Sequence, residues 1–197
     1  MAITNGYATL AEVKAALRVT DSVDDTLIEN AIEGASRRID GYCGRFFYQS
    51  AQTIDLFPNT EYSVGIPDLA SSTITLKTDT AGDGTFATTW SASDYYLEPL
   101  NQVFQSRPYN RITAKGSKTF PFLYQPPRPT IRLTGTFGWS AVPDDVREAC
   151  ILLSLRGFAR LNAALGVVGF ADMAITVRAV DPDVRDLLAP YRLIGIF

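Results

Sequence analysis

Apolar residues at helical spacing lie near both ends of this chain, and this pattern most constrains the fold that it can adopt. In the first of these stretches the apolar side chains follow one face of a 3.6-residue period: Leu27, Ile28, Ala31, Ile32, Ala35 and Ile39. A second apolar helix is predicted after Pro143, because Asp144 and Asp145 place negative charge where a helix begins. A third is predicted to begin at Asp181 and Pro182.

The N-terminal region also carries local helix signals. Thr9 and Glu12 have the spacing of a capping box, in which each side chain accepts a hydrogen bond from the other residue's backbone amide. This pattern predicts a short helix over Leu10–Leu17. Asp21 or Ser22 is expected to cap the longer helix that follows.

Between residues 45 and 141 the sequence changes to β-branched and aromatic residues punctuated by turn formers, which is typical of strands and hairpins. The glycines of Asp79–Gly84 predict a hairpin loop. The predicted strands are Phe46–Leu56, Thr73–Thr78, Thr85–Trp90, Tyr95–Glu98, Asn110–Ala114 and Thr130–Phe137. The chain is therefore predicted to be an α+β protein. A helical bundle from residues 1–44 and 142–197 would carry a β-rich insertion, an antiparallel sheet, over residues 45–141.

Composition disfavours several classes of function. The chain has no histidine, so it lacks the commonest general base and metal ligand, and it carries no nucleotide-binding, nucleophile-elbow or zinc-binding motif. We therefore predict no enzymatic activity, no cofactor and no metal site. The net charge of −3 argues against tight DNA binding. No apolar run suits a membrane span, and the first residues do not resemble a signal peptide.

Some residues leave alternatives open. Cys43 and Cys150 are predicted to be buried free thiols in a reducing compartment, with a disulfide between them as the alternative. Asp79 and Asp83 loosely resemble a calcium loop, but Trp90 stands where an EF-hand has its twelfth-position glutamate. The aromatic residues of the β-rich region fill a core or interface, or else form a stacking face for saccharide or nucleic acid: Trp90, Tyr95, Tyr96, Phe120, Phe122, Tyr124 and Trp139.

The apolar end of the sequence is the feature that an ordinary globular domain explains least well. Leu193, Ile194, Ile196 and Phe197 follow a helix that Pro190 stops, whereas chain ends are usually polar and loosely held. Such a segment is expected to be buried, either on its own domain or on a partner.

Three segments of the chain carry a family resemblance: the N-terminal helices (Tyr7–Lys14, Leu17–Val19, Asp24–Ile28 and Ala35–Asp40), the start of the long helix (Val142–Ala149) and the ending (Asp181–Val184 and Leu187–Arg192). In this order and spacing they resemble head–tail connector proteins of tailed bacteriophages, also called adaptor or head-completion proteins. The ending is similar to versions from phages of actinobacteria and from gene-transfer agents.

The resemblance implies a structural virion protein of the head–tail neck, assembled in the cytoplasm of the bacterial host. Such proteins form a ring, usually of twelve copies, beneath the portal protein. The ring extends the channel, through which DNA passes without sequence-specific binding, and it carries a further connector or a tail-completion protein. The resemblance also implies that the C-terminal segment docks on the portal: Pro190, Tyr191, Arg192, Leu193, Ile194, Ile196 and Phe197. The alternative function is a β-rich saccharide-binding module of a phage particle.

Overall fold

The chain folds as two compact units, one of which is formed by both chain ends. The first unit comprises Met1–Tyr48 with Ala141–Phe197, and the second comprises Gln49–Ser140. Helices dominate the first unit and an antiparallel sheet forms the second, so the predicted α+β class is confirmed. The computed structural model describes residues 3–122, 128–162 and 182–193.

The elements follow one another in the order helix, sheet, helix. The helices are α1 (Leu10–Leu17), α2 (Asp25–Cys43), α3 (Gln102–Gln105), α4 (Asp144–Asn162) and α5 (Pro182–Leu188). The strands are β1 (Ser50–Leu56), β2 (Ser63–Leu69), β3 (Thr75–Thr78), β4 (Thr88–Trp90), β5 (Tyr95–Glu98), β6 (Tyr109–Ala114) and β7 (Ile131–Phe137). Short 3-10 turns lie at Ala92–Asp94 and Ala189–Tyr191.

The start of α1 agrees with the predicted capping box, whereas the N-cap residue of α2 differs from the prediction. Thr9 Oγ1 accepts from the Glu12 amide at 3.2 Å and Glu12 Oε2 accepts from the Thr9 amide at 2.7 Å, which confirms the capping box. Asp24, rather than Asp21 or Ser22, is the N-cap of α2. Asp21 instead accepts from the Val23 amide at 3.1 Å and so organises the turn before the helix.

The core of the helical unit lies between α2 and α4. The buried face of α2 includes Ile28, Ile32, Ala35 and Ile39, as the periodicity predicted, whereas Leu27 remains exposed. Facing them, α4 buries Val146, Ala149 and Cys150. Cys43 and Cys150 are buried free thiols, which confirms that prediction. Burial raises the pKa of the Cys43 thiol to about 11, so it stays protonated at neutral pH.

The sheet is organised around β7. The strand order is β4-β3-β7-β2-β6-β5, and β1 pairs with β7 outside this path. Strand β7 is antiparallel to β1 along its whole length and to β3 over residues 131–134, with Leu133 opposite Ile54 and Leu76. Leu76, Ile112, Ile131 and Leu133 are fully buried on the core side of the sheet.

Strand β2 was not predicted, because its sequence contains Gly65 and Pro67. Proline cannot donate to a sheet ladder, so it argues against a central strand. The pairing of β2 with β6 is irregular between Gly65 and Leu69, and Pro67 lies in that interval. Its missing amide hydrogen therefore falls where the regular ladder is already interrupted.

The predicted hairpin between β3 and β4 is present, with Leu76 opposite Trp90 and Thr78 opposite Thr88. The sequence also predicts a helix break at Gly166–Phe170 and a short strand over Ala174–Val180, and these residues and the predicted helix start at Asp181 lie outside the described ranges. The prolines of Phe120–Pro129 predict an extended loop, of which Pro126 and Pro127 lie outside the described ranges. Among the described helices, none has an apolar stretch sufficient to cross a membrane.

Candidate docking site

The chain end that follows α5 starts from a fixed position on the helical unit. Leu188, the last residue of α5, is buried, and the 3-10 turn Ala189–Tyr191 follows at once. Pro190 lies within this turn and so cannot continue an α-helical ladder. The turn closes with a hydrogen bond from the Arg192 amide to the Ala189 carbonyl, at 3.3 Å.

Tyr191 anchors the segment through both parts of its side chain. Its ring packs edge-on against Phe47, with ring centroids 5.8 Å apart and planes at 79°. Its hydroxyl donates to Oδ2 of Asp145 at 3.0 Å. Edge-to-face aromatic pairs contribute about 0.5–1.5 kcal/mol beyond the area that they bury. Tyr191 is therefore held both by the residues that follow α2 and by the start of α4.

Phe47 is itself fixed by a cluster around Tyr7. The Tyr7 and Phe47 rings are perpendicular, at 88°, with centroids 5.5 Å apart. The Phe47 amide donates to the Tyr7 hydroxyl oxygen at 2.8 Å, and the Tyr7 hydroxyl donates to Oδ1 of Asp40 in α2. Tyr7 and Phe47 are both buried. The surface that receives Tyr191 is thus built from packed rings and satisfied hydrogen bonds.

The Asp40 carboxyl in this cluster is partly buried and is paired with Arg37. Burial raises the pKa of the Asp40 carboxyl, while the hydrogen bond from Tyr7 and the charge of Arg37 lower it. The Arg37 Nε atom is 3.0 Å from Oδ2 of Asp40. Burial also raises the pKa of the Tyr7 hydroxyl well above its usual range. Tyr7 therefore remains a hydrogen-bond donor at neutral pH.

Arg192 and Leu193 continue the segment along the C-terminal end of α2. The Arg192 guanidinium lies 5.4 Å from the ring centroid of Tyr42, in a cation–π contact. The Leu193 amide donates to the Cys43 carbonyl at 2.8 Å. That carbonyl belongs to the last turn of α2, where carbonyls lack intrahelical partners. The side chain of Leu193 nevertheless stays 49% exposed.

The structure describes four of the predicted docking residues, and the contacts that three of them make lie within the chain's own unit: Tyr191 with Phe47 and α4, and Arg192 and Leu193 with α2. The four described residues are Pro190, Tyr191, Arg192 and Leu193. The other three, Ile194, Ile196 and Phe197, lie outside the described residues. Up to Leu193 the segment contacts its own unit, while the side chains of Pro190, Arg192 and Leu193 stay exposed.

The sequence did not predict that Phe47 contacts this segment. The prediction included Phe47 in a strand over Phe46–Leu56, but β1 begins only at Ser50. Phe46, Phe47 and Tyr48 are three consecutive aromatic residues, which lack the polar–apolar alternation of a half-buried strand. That departure was the available signal that these residues pack elsewhere.

The aromatic residues of the sheet are mostly internal. Trp90 is 6% exposed and stacks on Phe120, with centroids 4.7 Å apart and planes at 2°. Trp139 is 4% exposed, and its indole donates to Asp68 at 3.1 Å. Tyr96 is exposed, and Tyr124 lies outside the described residues. The two tryptophans are therefore not available as surface stacking groups for a saccharide.

The acidic loop after β3 is organised by its own backbone. Asp79 is buried, and its carboxylate oxygens accept from the amides of Gly82 and Gly84 at 2.7 and 2.6 Å. Both glycines have positive φ, which a hairpin loop of this kind requires. Across residues 3–122, 128–162 and 182–193, no three His, Cys, Asp or Glu side chains are grouped as metal ligands would be.

A comparison with protein families matches the N-terminal part of the chain. Residues 7–71 match the family described as phage gp6-like head-tail connector protein. This match confirms the predicted resemblance to head–tail connector proteins. The matched region includes Tyr42 and Phe47, which contact the C-terminal segment, and Tyr7 and Asp40, which support Phe47.

Solved structures share the fold over the whole chain. The first two are described as "Neck of native GTA particle computed with C12 symmetry", at 19% identity and TM-score 0.60, and "Neck of empty GTA particle computed with C6 symmetry", at 20% and 0.58. The third, "Virion of native gene transfer agent (GTA) particle", has 22% identity and TM-score 0.55. All of this chain and 94%, 95% and 95% of those chains are covered. A comparison with curated proteins found no significant match.

Proposed function

We propose that this chain is a structural subunit of a head–tail connector ring in the neck of a phage-like particle. The observation that carries this proposal is the match of residues 7–71 to the head–tail connector family. Neck structures of the same fold, one computed with C12 symmetry, support a ring of twelve copies. The subunit acts by assembly rather than by catalysis, in keeping with a sequence without histidine.

In this proposal the two units have different tasks. Residues 1–44 and 142–197 form a helical bundle that makes the body of the ring, and residues 45–141 form a β-rich insertion. The insertion meets neighbouring copies or the next connector or tail-completion protein. The net charge of −3 suits a channel through which DNA slides without being held. Assembly takes place in the bacterial cytoplasm, and the finished ring stays in the virion.

The C-terminal segment docks the ring on the portal protein. Tyr191, Arg192 and Leu193 fix the base of the segment on α2. Because that base is already ordered, little conformational entropy is lost there on binding. Ile194, Ile196 and Phe197 then supply the apolar side chains that the portal buries.

The test is a truncation that removes the proposed contact and keeps its base. A chain ending at Leu193 should unfold at the same denaturant concentration as the full chain, because the contacts of Tyr191 remain. It should fail to bind purified portal protein in a pull-down and in sedimentation. A chain with Ile194→Leu and Ile196→Leu, which keeps the apolar character, is the matched control and should bind. Undiminished portal binding by the truncated chain would rule out this docking segment.

A further inference from the structure

Two exposed apolar side chains lie in the connection between the paired strands β5 and β6. Strand β5 ends the strand order, and the chain then passes through Leu100 into α3. Phe104 in α3 is 89% exposed and Leu100 is 68% exposed. Exposed large apolar side chains that lie together are a feature of interaction surfaces. We call Leu100 and Phe104 the projection.

The helical unit has an apolar groove between α2 and α4, with a volume of about 250 Å³. Its apolar lining consists of Leu27, Ala31, Gly34, Ala35, Leu153 and Gly157. The helices approach closely here, since a Cβ on Gly157 would lie 3.6 Å from the Cβ of Ala31. By contrast, a Cβ on Gly34 would meet no described atom within 4 Å. The groove therefore has room above Gly34 for an inserted side chain.

The charges beside the two features are complementary. Asp24 is the N-cap residue of α2, three residues before Leu27, and exposed Asp21 lies in the preceding turn. Lys14 pairs with Asp25 at 2.5 Å, so Asp21 and Asp24 leave this end of α2 with net negative charge. Exposed Arg38 lines the groove further along α2. Exposed Arg107 follows Phe104 by three residues. An inserted Phe104 is thus favoured with Arg107 toward the aspartates and away from Arg38.

We propose that a second copy of this chain occupies the groove, with Phe104 of one copy inserted beside Gly34 of the next. Each copy carries one projection, in its sheet unit, and one groove, in its helical unit. Such a head-to-tail contact is heterologous, and it closes into a ring when the rotation between copies permits. This inference rests on the proposed connector ring and identifies the contact that joins its subunits.

Two substitutions remove the contact from opposite sides. Phe104→Ser removes an exposed ring, and Gly34→Leu fills the groove at a helical position with open space around it. Their matched controls are Phe57→Ser, another exposed ring of the sheet unit, and Gly41→Leu, another open glycine of α2. Each test variant should weaken self-association at least about 30-fold, as expected for a central aromatic anchor. The controls should match the unchanged chain.

The measurement is the mass of the full-length chain by sedimentation, alone and with purified portal, with a urea melt to confirm folding. A one-to-one mixture of Phe104→Ser and Gly34→Leu copies keeps one intact projection and one intact groove. The mixture should therefore form dimers and nothing larger. Assemblies of unchanged mass in either variant, or a chain that never associates even on the portal, would overturn the proposal.

The result also separates this contact from the proposed function. If both variants assemble as the unchanged chain does, while loss of Ile194–Phe197 abolishes portal binding, the connector function stands and the Phe104 contact is wrong. If the variants block self-association but the unchanged chain does not bind the portal, the contact stands and the portal proposal fails.

Discussion

Replacing Tyr7 by Phe tests the cluster that supports the C-terminal segment. The substitution keeps the ring that packs on Phe47 and removes one oxygen atom. It leaves the buried Phe47 amide without its 2.8 Å acceptor, which costs about 2 kcal/mol. It also removes a hydrogen bond to the Asp40 carboxylate, and hydrogen bonds to charged groups contribute about 2 kcal/mol. The helical unit should therefore lose about 4 kcal/mol of unfolding free energy at neutral pH.

The loss should depend on pH in a direction that the structure fixes. The pKa of Asp40 is raised in the folded chain, so this group contributes stability at acidic pH that is lost as pH rises from its ordinary value of 3.8. The Tyr7 hydroxyl lowers that pKa, so Tyr7→Phe raises it further and enlarges this loss. When Asp40 is protonated, the substitution forfeits only the weaker neutral bond. The effect should thus fall by about 1–2 kcal/mol on going to about pH 3.

The assay is urea denaturation of the full-length chain followed by its helical circular dichroism signal, with variant and unchanged chain compared at each pH. Tyr96→Phe, at an exposed position, is the control and should change stability by less than about 0.5 kcal/mol. Tyr7→Phe combined with Asp40→Asn should lose the pH dependence. An effect of Tyr7→Phe below about 1 kcal/mol, or one that is equal at both pH values, would refute the assignment of this cluster.

Two further predictions concern the packing within each unit. Gly41→Ala should raise the unfolding free energy by about 0.5–1 kcal/mol, because α2 has open space there. Gly135→Ala should lower it by about 1–3 kcal/mol, because the new Cβ would lie 3.0 Å from atoms of Ile74 and Leu69. Urea melts in which both substitutions change stability in the same direction would contradict this reasoning. Asp79→Ala should lower it by about 2 kcal/mol, since two loop amides lose their acceptor, and calcium added to the unchanged chain should leave its melting temperature where it was.

The parts of the fold that were predicted correctly are those fixed by local sequence. The capping box of Thr9 and Glu12 and the period of the α2 core face each depend on residues within a turn or two. Strand β5 was predicted with its observed bounds, because aromatic residues between turn formers leave few alternatives. These signals are local and do not depend on contacts with distant parts of the chain.

The misassigned parts depend on contacts distant in sequence. Strand β2 exists because β6 and β7 are there to pair with it, and its proline lies in the irregular interval that only the pairing reveals. The docking site shows the same limit: Tyr191 and Phe47 are far apart in sequence, so neither pattern indicates the other. A resemblance to a family predicted a docking role for the segment, whereas only the structure shows which residues support the segment.

The support on α2 also bears on how portal binding and ring closure are related. The segment up to Leu193 is held by Phe47, Tyr42 and the end of α2, whereas the proposed groove uses Leu27 to Arg38 of the same helix. Both proposed contacts therefore share one rigid element. Since a helix transmits displacement better than a loop does, a neighbour seated in the groove would fix the orientation from which the next residues reach the portal. On this reasoning the ring and the portal stabilise each other, and loss of either contact should weaken the other.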